Sequence, residues 1–334
     1  MLSYVVRRCL FALFVLVGVS ILTFLLTRVA PSDPAARWVG PRATAEQITQ
    51  ARAELGLDKP LPVQYMLYVS SLLQGNWGIS IRTHRPVALD LQQYLPPTVE
   101  LIVFSMFFAV PLGVFLGVVS AARSGTPVDH GARLLALAGV GLPGFWLAMI
   151  LQIVFFKWIG LFPLSGRVAI TTSVERLTGF LLIDSAIARN LPALGDALWH
   201  LVLPAATLAA YPVGNLARMT RNTMLEVLGE DFIRVARAIG APEARVYFKH
   251  ALRNVLGTLL TSTTLIFVYS LVGSFVVESV FNWPGFGSYA ALSIMVIDYP
   301  AIMGITTVVA VSYVVLNLIN DLAMAVVDPR IRLS

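Results

Sequence analysis

The 334-residue chain has few of the residues from which soluble enzymes build their sites. Charged residues make up 13% of it, against about 25% in an ordinary soluble domain. Cys9 is its only cysteine, so it contains neither a disulfide framework nor a cysteine metal site. The four histidines lie in different loops and at the ends of apolar segments, without the spacing of metal ligands: His84, His130, His200 and His250.

Motifs of catalysis are missing as well. There is no phosphate-binding P-loop, no G-x-S-x-G nucleophile elbow and no H-E-x-x-H zinc motif. Residues 139–144 read G-V-G-L-P-G, which formally matches a dinucleotide fingerprint. No strand–helix unit surrounds this run, and the acidic residue expected about 20 positions later is absent. A proline-kinked helix with glycines at contacts explains the run better, and we expect no catalysis by this chain.

Apolar residues dominate the sequence, at 57%, with a mean hydropathy of +0.79. We therefore predict an all-α polytopic membrane protein with about six transmembrane helices, since about 20 apolar residues cross the hydrocarbon core. The net charge of +6 does not indicate nucleic acid, because the basic residues lie between apolar spans, as the positive-inside rule requires next to membrane lipid. The predicted parts are a cytoplasmic end and first span in 1–30, a transmembrane domain in 98–327 with spans at about 98–120, 133–158, 200–216, 255–277 and 301–326, and a cytoplasmic tail in 328–334.

Residues 31–97 are polar and punctuated by proline, yet too patterned to be a linker. Residues 44–55 are typical of an amphipathic helix, with Thr44 as N-cap and Gln47 completing a capping box. Residues 63–73 predict a second helix. We expect a folded extracytoplasmic helical segment, because its apolar helix faces must be buried against the membrane part or a partner.

Residues 219–254 are the longest stretch that cannot lie inside a membrane. With Arg218 they hold seven basic side chains, and a stripe at helical spacing runs through them: Leu225, Leu228, Phe232, Ala236 and Ile239. The run Gly240-Ala241-Pro242 ends this helix, and a second short helix is predicted at 243–253. Physical chemistry alone leaves two interpretations, a loop lying on the bilayer surface or a docking element for another subunit.

Several runs resemble one transporter family. Residues 231–240, D-F-I-R-V-A-R-A-I-G, and 250–254, H-A-L-R-N, resemble the conserved cytoplasmic loop of ATP-binding-cassette importer permeases of the dipeptide, oligopeptide and nickel branch. Three further runs are similar to the B-type permease of a peptide importer: A-P-S-D-P at 30–34, G-N-W-G at 75–78 and V-E-S-V-F-N-W-P-G-F-G at 277–287.

The resemblance implies a type I importer permease fold in the bacterial inner membrane, with both termini cytoplasmic. It implies pairing with a homologous C-type permease, two ATPase subunits that bind ATP and magnesium, and an extracytoplasmic solute-binding protein. The cargo would be di- or oligopeptides, with nickel or another small solute as the alternative. The coupling residues implied are Phe232, Ala236, Arg237, Gly240, Ala241, Pro242 and His250.

Polar residues near or within spans are candidates for the solute path. A carboxylate at the bilayer centre costs roughly 2.5–3.5 kcal/mol on insertion scales, so Glu278 and Asp321 should face protein or water. Each could line or gate the path together with Trp283 and Pro284, or form a hydrogen bond between helices. An ion-coupled carrier would need paired half-repeats with midplane charges, and a membrane enzyme would need a convergent catalytic constellation. The sequence offers neither.

Overall fold

The computed structural model describes residues 2–29, 34–40, 42–54 and 56–327. Within these ranges no strand forms, and a single β bridge joins Ile79 to Pro86. Two π-helical segments, Gln152–Trp158 and Val246–Ala251, interrupt the α-helices. The α-helices are α1 Leu2–Val29, α2 Pro34–Val39, α3 Ala45–Glu54, α4 Leu61–Leu73, α5 Val87–Ala122, α6 Pro127–Gly141, α7 Gly144–Leu151, α8 Leu181–Ile187, α9 Leu191–Leu228, α10 Asp231–Ala238, α11 Glu243–Arg245, α12 Leu252–Gly273, α13 Phe275–Val280, α14 Phe286–Met295 and α15 Tyr299–Val327.

The described residues contain 5 helices long and apolar enough to cross a membrane, and 6 spans if one bent pair is included. The prediction of an all-α polytopic protein with about six spans is therefore confirmed. The five continuous segments are Leu10–Arg28, Val87–Ala122, Leu191–Leu228, Glu243–Gly273 and Tyr299–Met324.

The third span is broken where the sequence predicted one helix over 133–158. α6 and the helix from Gly144 to Trp158 meet at 106°. The backbone at Leu142 is extended, with ψ of 128°, because the ring of Pro143 disfavours a helical residue before it. The kink at this proline confirms part of the interpretation of residues 139–144. Gly139 lies at a helix contact, whereas Gly141 and Gly144 have open space where a Cβ would lie.

Two helices extend well beyond the predicted spans. α5 begins at Val87 instead of 98, and α9 covers Leu191–Leu228 instead of 200–216. With 36 and 38 residues, they are about 54 and 57 Å long at 1.5 Å per residue, against a hydrocarbon core of about 30 Å. α5 continues through Pro96 and Pro97, and α9 through Pro204 and Pro212, because neighbouring helices and side chains re-satisfy the freed backbone groups in such spans.

The described residues within 1–95 and 289–315 form one compact unit. In it α1 packs against α4, with the Phe24 ring 5.5 Å from that of Tyr65 and 6.1 Å from that of Tyr68. At the start of α3, the Thr44 amide donates to Gln47 Oε1 over 2.9 Å and the Gln47 amide donates to Thr44 Oγ1 over 3.3 Å. This is the predicted capping box. Leu55 and the prolines at 31 and 41 lie outside the described residues.

The described residues within 96–288 and 316–334 form the second unit, in which α9 is central. A Cβ added to Gly117 on α5 would lie 2.4 Å from Thr220 Cβ, and one added to Gly139 on α6 would lie 2.4 Å from Ala210 O. Glycines therefore let α5 and α6 approach the backbone of α9 closely. An apolar cluster that includes Leu101, Leu201 and Phe281 fills the other end of this unit.

Candidate functional site: the α10–α12 loop and its supports

The predicted coupling segment folds differently from one continuous helix. α9 carries Leu225 and ends at Leu228, and α10 starts at Asp231 after a break at Gly229. The five-residue stripe predicted from the sequence is thus divided between two helices. The break was missed because the apolar spacing continues across it, while the backbone does not.

α10 has two apolar faces rather than one. Ile233 and Ala236 are buried inside the protein, whereas three apolar side chains face outward on an otherwise charged helix. The exposed fractions are 43% for Phe232, 59% for Val235 and 79% for Ile239. Residues at i, i+3 and i+7 share one side of a helix. An outward apolar side of this kind is a surface that another molecule can cover.

Gly240 ends α10 as the sequence predicted, in the left-handed backbone region with φ of +81°. Its amide donates to Arg237 O over 2.9 Å, and the next amide, of Ala241, donates to Ala236 O over 3.1 Å. Glycine adopts this conformation without steric cost. A Cβ at Gly240 would meet nothing within 4 Å, so the position faces open space.

A charged clamp closes the turn between α10 and α11. Arg237 Nε donates to Glu243 Oε1 over 2.9 Å, and its Nη2 donates to Oε2 over 3.2 Å. The hydrogen bond to Glu243 raises the pKa of Arg237 above its ordinary value. Pro242 lies at the N-cap of α11 with an extended backbone, one position before the first helical residue.

The second helix of the loop does not end at Arg253. It continues through the π-helical segment into α12, so the segment from Glu243 to Gly273 forms one span. His250 lies half-buried in that π-helical segment, and its carbonyl accepts a hydrogen bond from Asn254 Nδ2 over 2.8 Å. The loop therefore continues into the apolar α12 without a break in the helix.

Arg221, assigned to the loop from sequence, lies instead on α9 and binds a buried carboxylate. Its Nε donates to Asp129 Oδ1 over 2.7 Å and its Nη2 donates to Oδ2 over 2.9 Å. Ser120 Oγ and the Gly125 amide donate to the same carboxylate over 2.6 and 3.0 Å. This cluster joins the ends of α5, α6 and α9 next to the loop. Sequence reasoning missed the pair because its members lie 92 positions apart.

Glu278 lies at a buried junction, 1% exposed. Its Oε1 accepts hydrogen bonds from Thr98 Oγ1 over 2.5 Å and Ser274 Oγ over 2.7 Å, and its Oε2 accepts one from the Ser288 amide over 2.6 Å. A Cβ on Gly285 would lie 2.3 Å from Oε1, so glycine is required there. These contacts make Glu278 an anchor between helices. A role in the solute path stays a prediction and would require this junction to open.

The other candidates for the solute path differ in exposure and in position: Trp283, Pro284 and Asp321. Trp283 is 2% exposed and its Nε1 donates to Pro97 O over 3.0 Å, whereas Pro284 beside it is exposed. Asp321 is half-buried on α15, next to Asn320, whose Nδ2 donates to Thr261 Oγ1 over 3.4 Å. The structure thus groups Trp283 with Glu278 and keeps Asp321 on a separate helix.

A second ion pair missed from the sequence joins the loop after α7 to α5. The Arg167 guanidinium binds Glu100 Oε2, with an Nη2–Oε2 separation of 2.5 Å, and lies 5.6 Å from the Trp283 ring centroid. Glu100 Oε1 also accepts from the Leu182 amide over 2.7 Å. Burial lowers the pKa of Arg167 below its ordinary value, and the Glu100 carboxylate opposes that shift. The sequence signal that could have indicated this pair was Glu100, a carboxylate inside the predicted span at about 98–120.

Comparison with known proteins decides the family. Residues 109–333 match the family model described as the binding-protein-dependent transport system inner membrane component, and residues 1–101 match the model for its N-terminal part. The chain belongs to this family. It is thus a multi-pass inner-membrane permease, a transport subunit.

Relatives match the permease over nearly its whole length. The di/tripeptide transport system permease protein of Pseudomonas aeruginosa is 40% identical over 333 residues, 99% of each chain. The dipeptide transport system permease protein of Escherichia coli K12 is 39% identical over 337 residues, again 99% of each chain. The oligopeptide transport system permease protein of Bacillus subtilis is 36% identical over 332 residues, 99% of each.

Proposed function

We propose that this permease forms half of the membrane path of an ATP-driven importer of di- and oligopeptides. The three relatives described above are named for peptides, which supports peptides over nickel as the cargo. A homologous C-type permease would complete the path, and a solute-binding protein would deliver the peptide. Two ATPase subunits would bind ATP and magnesium and carry out the hydrolysis, so this chain itself binds no cofactor.

The outward apolar side of α10 carries the proposal. Phe232, Val235 and Ile239 are exposed on a charged helix, and the opposite side is held by the buried Ile233 and Ala236. A helix that packs against the protein on one side and is apolar on the other can bind an ATPase subunit with its free side. A displacement of that subunit then moves the packed helix with it. The continuous helix from Glu243 to Gly273 connects the loop to the membrane-spanning part, so it would carry this displacement there.

The same proposal orients the chain. Arg7 and Arg8 are exposed at the start of α1, and the α10 loop adds its own basic side chains. Lys and Arg favour the cytoplasmic side in short loops and near span ends. The N-terminus, the C-terminus and the α10 loop are accordingly cytoplasmic, and residues 31–97 are extracytoplasmic. The tail at 328–334 lies outside the described residues.

Gly240→Trp tests this function. The new side chain would project into open space, so it should leave insertion intact, block the ATPase surface and abolish ATP-dependent peptide uptake by the reconstituted complex. Gly125→Trp is a matched control, because Gly125 also has a positive φ, +78°, and open space at its Cβ. Both variants carry the same backbone strain, about 1–2 kcal/mol. Wild-type uptake by Gly240→Trp would show that the α10 loop only lies on the bilayer.

A further inference from the structure

The second unit contains a cleft of about 570 Å³ between α9 and α12, closed at one end by the start of α7 and by α13. This volume falls in the range of ligand sites, about 300–1,000 Å³. The helices that form the cleft are the ones on either side of the α10 loop. A movement of that loop that displaced α9 against α12 would change the geometry of the cleft.

Polar side chains line both walls. On α9, Thr207, Tyr211 and Asn215 recur every four residues and so share one face. Asn215 Nδ2 donates to the Tyr211 hydroxyl over 3.3 Å. On α12, Ser262 and Tyr269 line the opposite wall.

The position of these groups decides what the cleft faces. Tyr211 lies near the middle of α9 and is 50% exposed, and Tyr269 is 75% exposed. Exposed hydroxyl and amide groups that faced lipid tails in mid-span would lack hydrogen-bond partners, at a cost of several kcal/mol each. The cleft therefore faces water, a solute or another protein chain. Its lining contains no Asp, Glu, Lys, Arg or His.

We propose that this cleft is where the permease contacts the peptide during passage, through its hydroxyl, amide and aromatic groups. The inference rests on the proposed function and names the surface that performs it. Hydroxyls and an amide can donate to peptide carbonyls and accept from peptide N–H groups, which every peptide carries. An uncharged lining gives no preference between acidic and basic side chains of the peptide. The cleft would therefore contact the peptide backbone and admit peptides of many sequences.

Opposite charges introduced at one position test the assignment. In the reconstituted complex, uptake of alanyl-lysine and alanyl-glutamate is measured for Asn215→Asp and Asn215→Lys. The ratio of lysine to glutamate peptide should rise about five- to tenfold in Asn215→Asp, as expected for one close charge pair in a wet site. The ratio should fall by a similar factor in Asn215→Lys. Asn222→Asp, two turns further along α9 and outside this cleft, should keep the wild-type ratio.

A merely structural role for Asn215 would lower uptake of both peptides equally in both variants. Unchanged ratios in active variants overturn the proposal. If both variants lose all uptake, Tyr269 replaced by photoreactive benzoylphenylalanine decides: labelling of alanyl-lysine during turnover supports the contact, and no labelling rejects it. Failure of the wild-type complex to take up any peptide would instead remove the proposed function, and this inference with it.

Discussion

Removing the Asp129 carboxylate should destabilise the permease far more than removing an exposed one. In Asp129→Asn the new amide nitrogen would face the Arg221 guanidinium, so two donors would oppose each other where a bidentate ion pair now lies. The Asp129 side chain is 1% exposed and Arg221 16%. Little water could therefore compensate the arginine for the lost charge.

The magnitude follows from these contacts. Breaking a buried ion pair from one side costs about 3–5 kcal/mol, and losing a hydrogen bond to a charged group costs about 1.5–3 kcal/mol. Arg133, whose side chain is 46% exposed, lies 3.8 Å from the same carboxylate, so water reaches the edge of the cluster. We therefore expect a loss of about 2–3 kcal/mol, somewhat below the range for fully buried pairs.

Chemical denaturation of the purified permease in detergent, followed by tryptophan fluorescence, measures this loss. Asp231→Asn is the matched control, because Asp231 and Arg234 form an ion pair with side chains 92% and 73% exposed. Such surface pairs contribute little, so no resolved change is expected there. The double variant Asp129→Asn with Arg221→Met should lose less than the sum of the two single losses. Equal stability of Asp129→Asn and the control would refute the reasoning.

Three further predictions concern packing, topology and the 31–97 segment. Gly117→Ala should cost about 1–3 kcal/mol of unfolding free energy by overpacking against α9, whereas Gly131→Ala, with open space at its Cβ, should be neutral or stabilising by about 0.5–1 kcal/mol; the same denaturation assay compares them, and equal changes would contradict the close helix approach. On a cysteine-free background, a cysteine at Asp58 should react with an impermeant thiol reagent in intact cells and one at Glu243 should not; the reverse pattern would invert the proposed topology. Replacing residues 44–75 by a Gly/Ser linker should preserve insertion but weaken ATP hydrolysis stimulated by the binding protein, because it removes the exposed apolar side of α4; unchanged stimulation in vesicles would reduce the segment to a tether.

Much of the architecture followed from the sequence alone because its signals are local. Apolar runs longer than the bilayer core fix the number of spans, since no other structure buries them at comparable cost. The capping box of Thr44 and Gln47 and the left-handed turn at Gly240 were likewise predictable, because each depends on neighbouring residues. The runs at 231–240 and 277–287 sufficed to indicate the family.

Tertiary structure decided what depends on residues distant in the chain. The apolar spacing of 225–239 predicted one stripe, but only the fold showed Ile233 turned inward and Val235 outward. The Asp129–Arg221 pair joins residues 92 positions apart. Only the fold showed that Glu278 is held at a buried junction, because donors from three segments converge on its carboxylate. The sequence determines the chemistry of each side chain. Its contacts with residues distant in the chain depend on how all the helices pack together, because a close-packed interior allows few alternative arrangements.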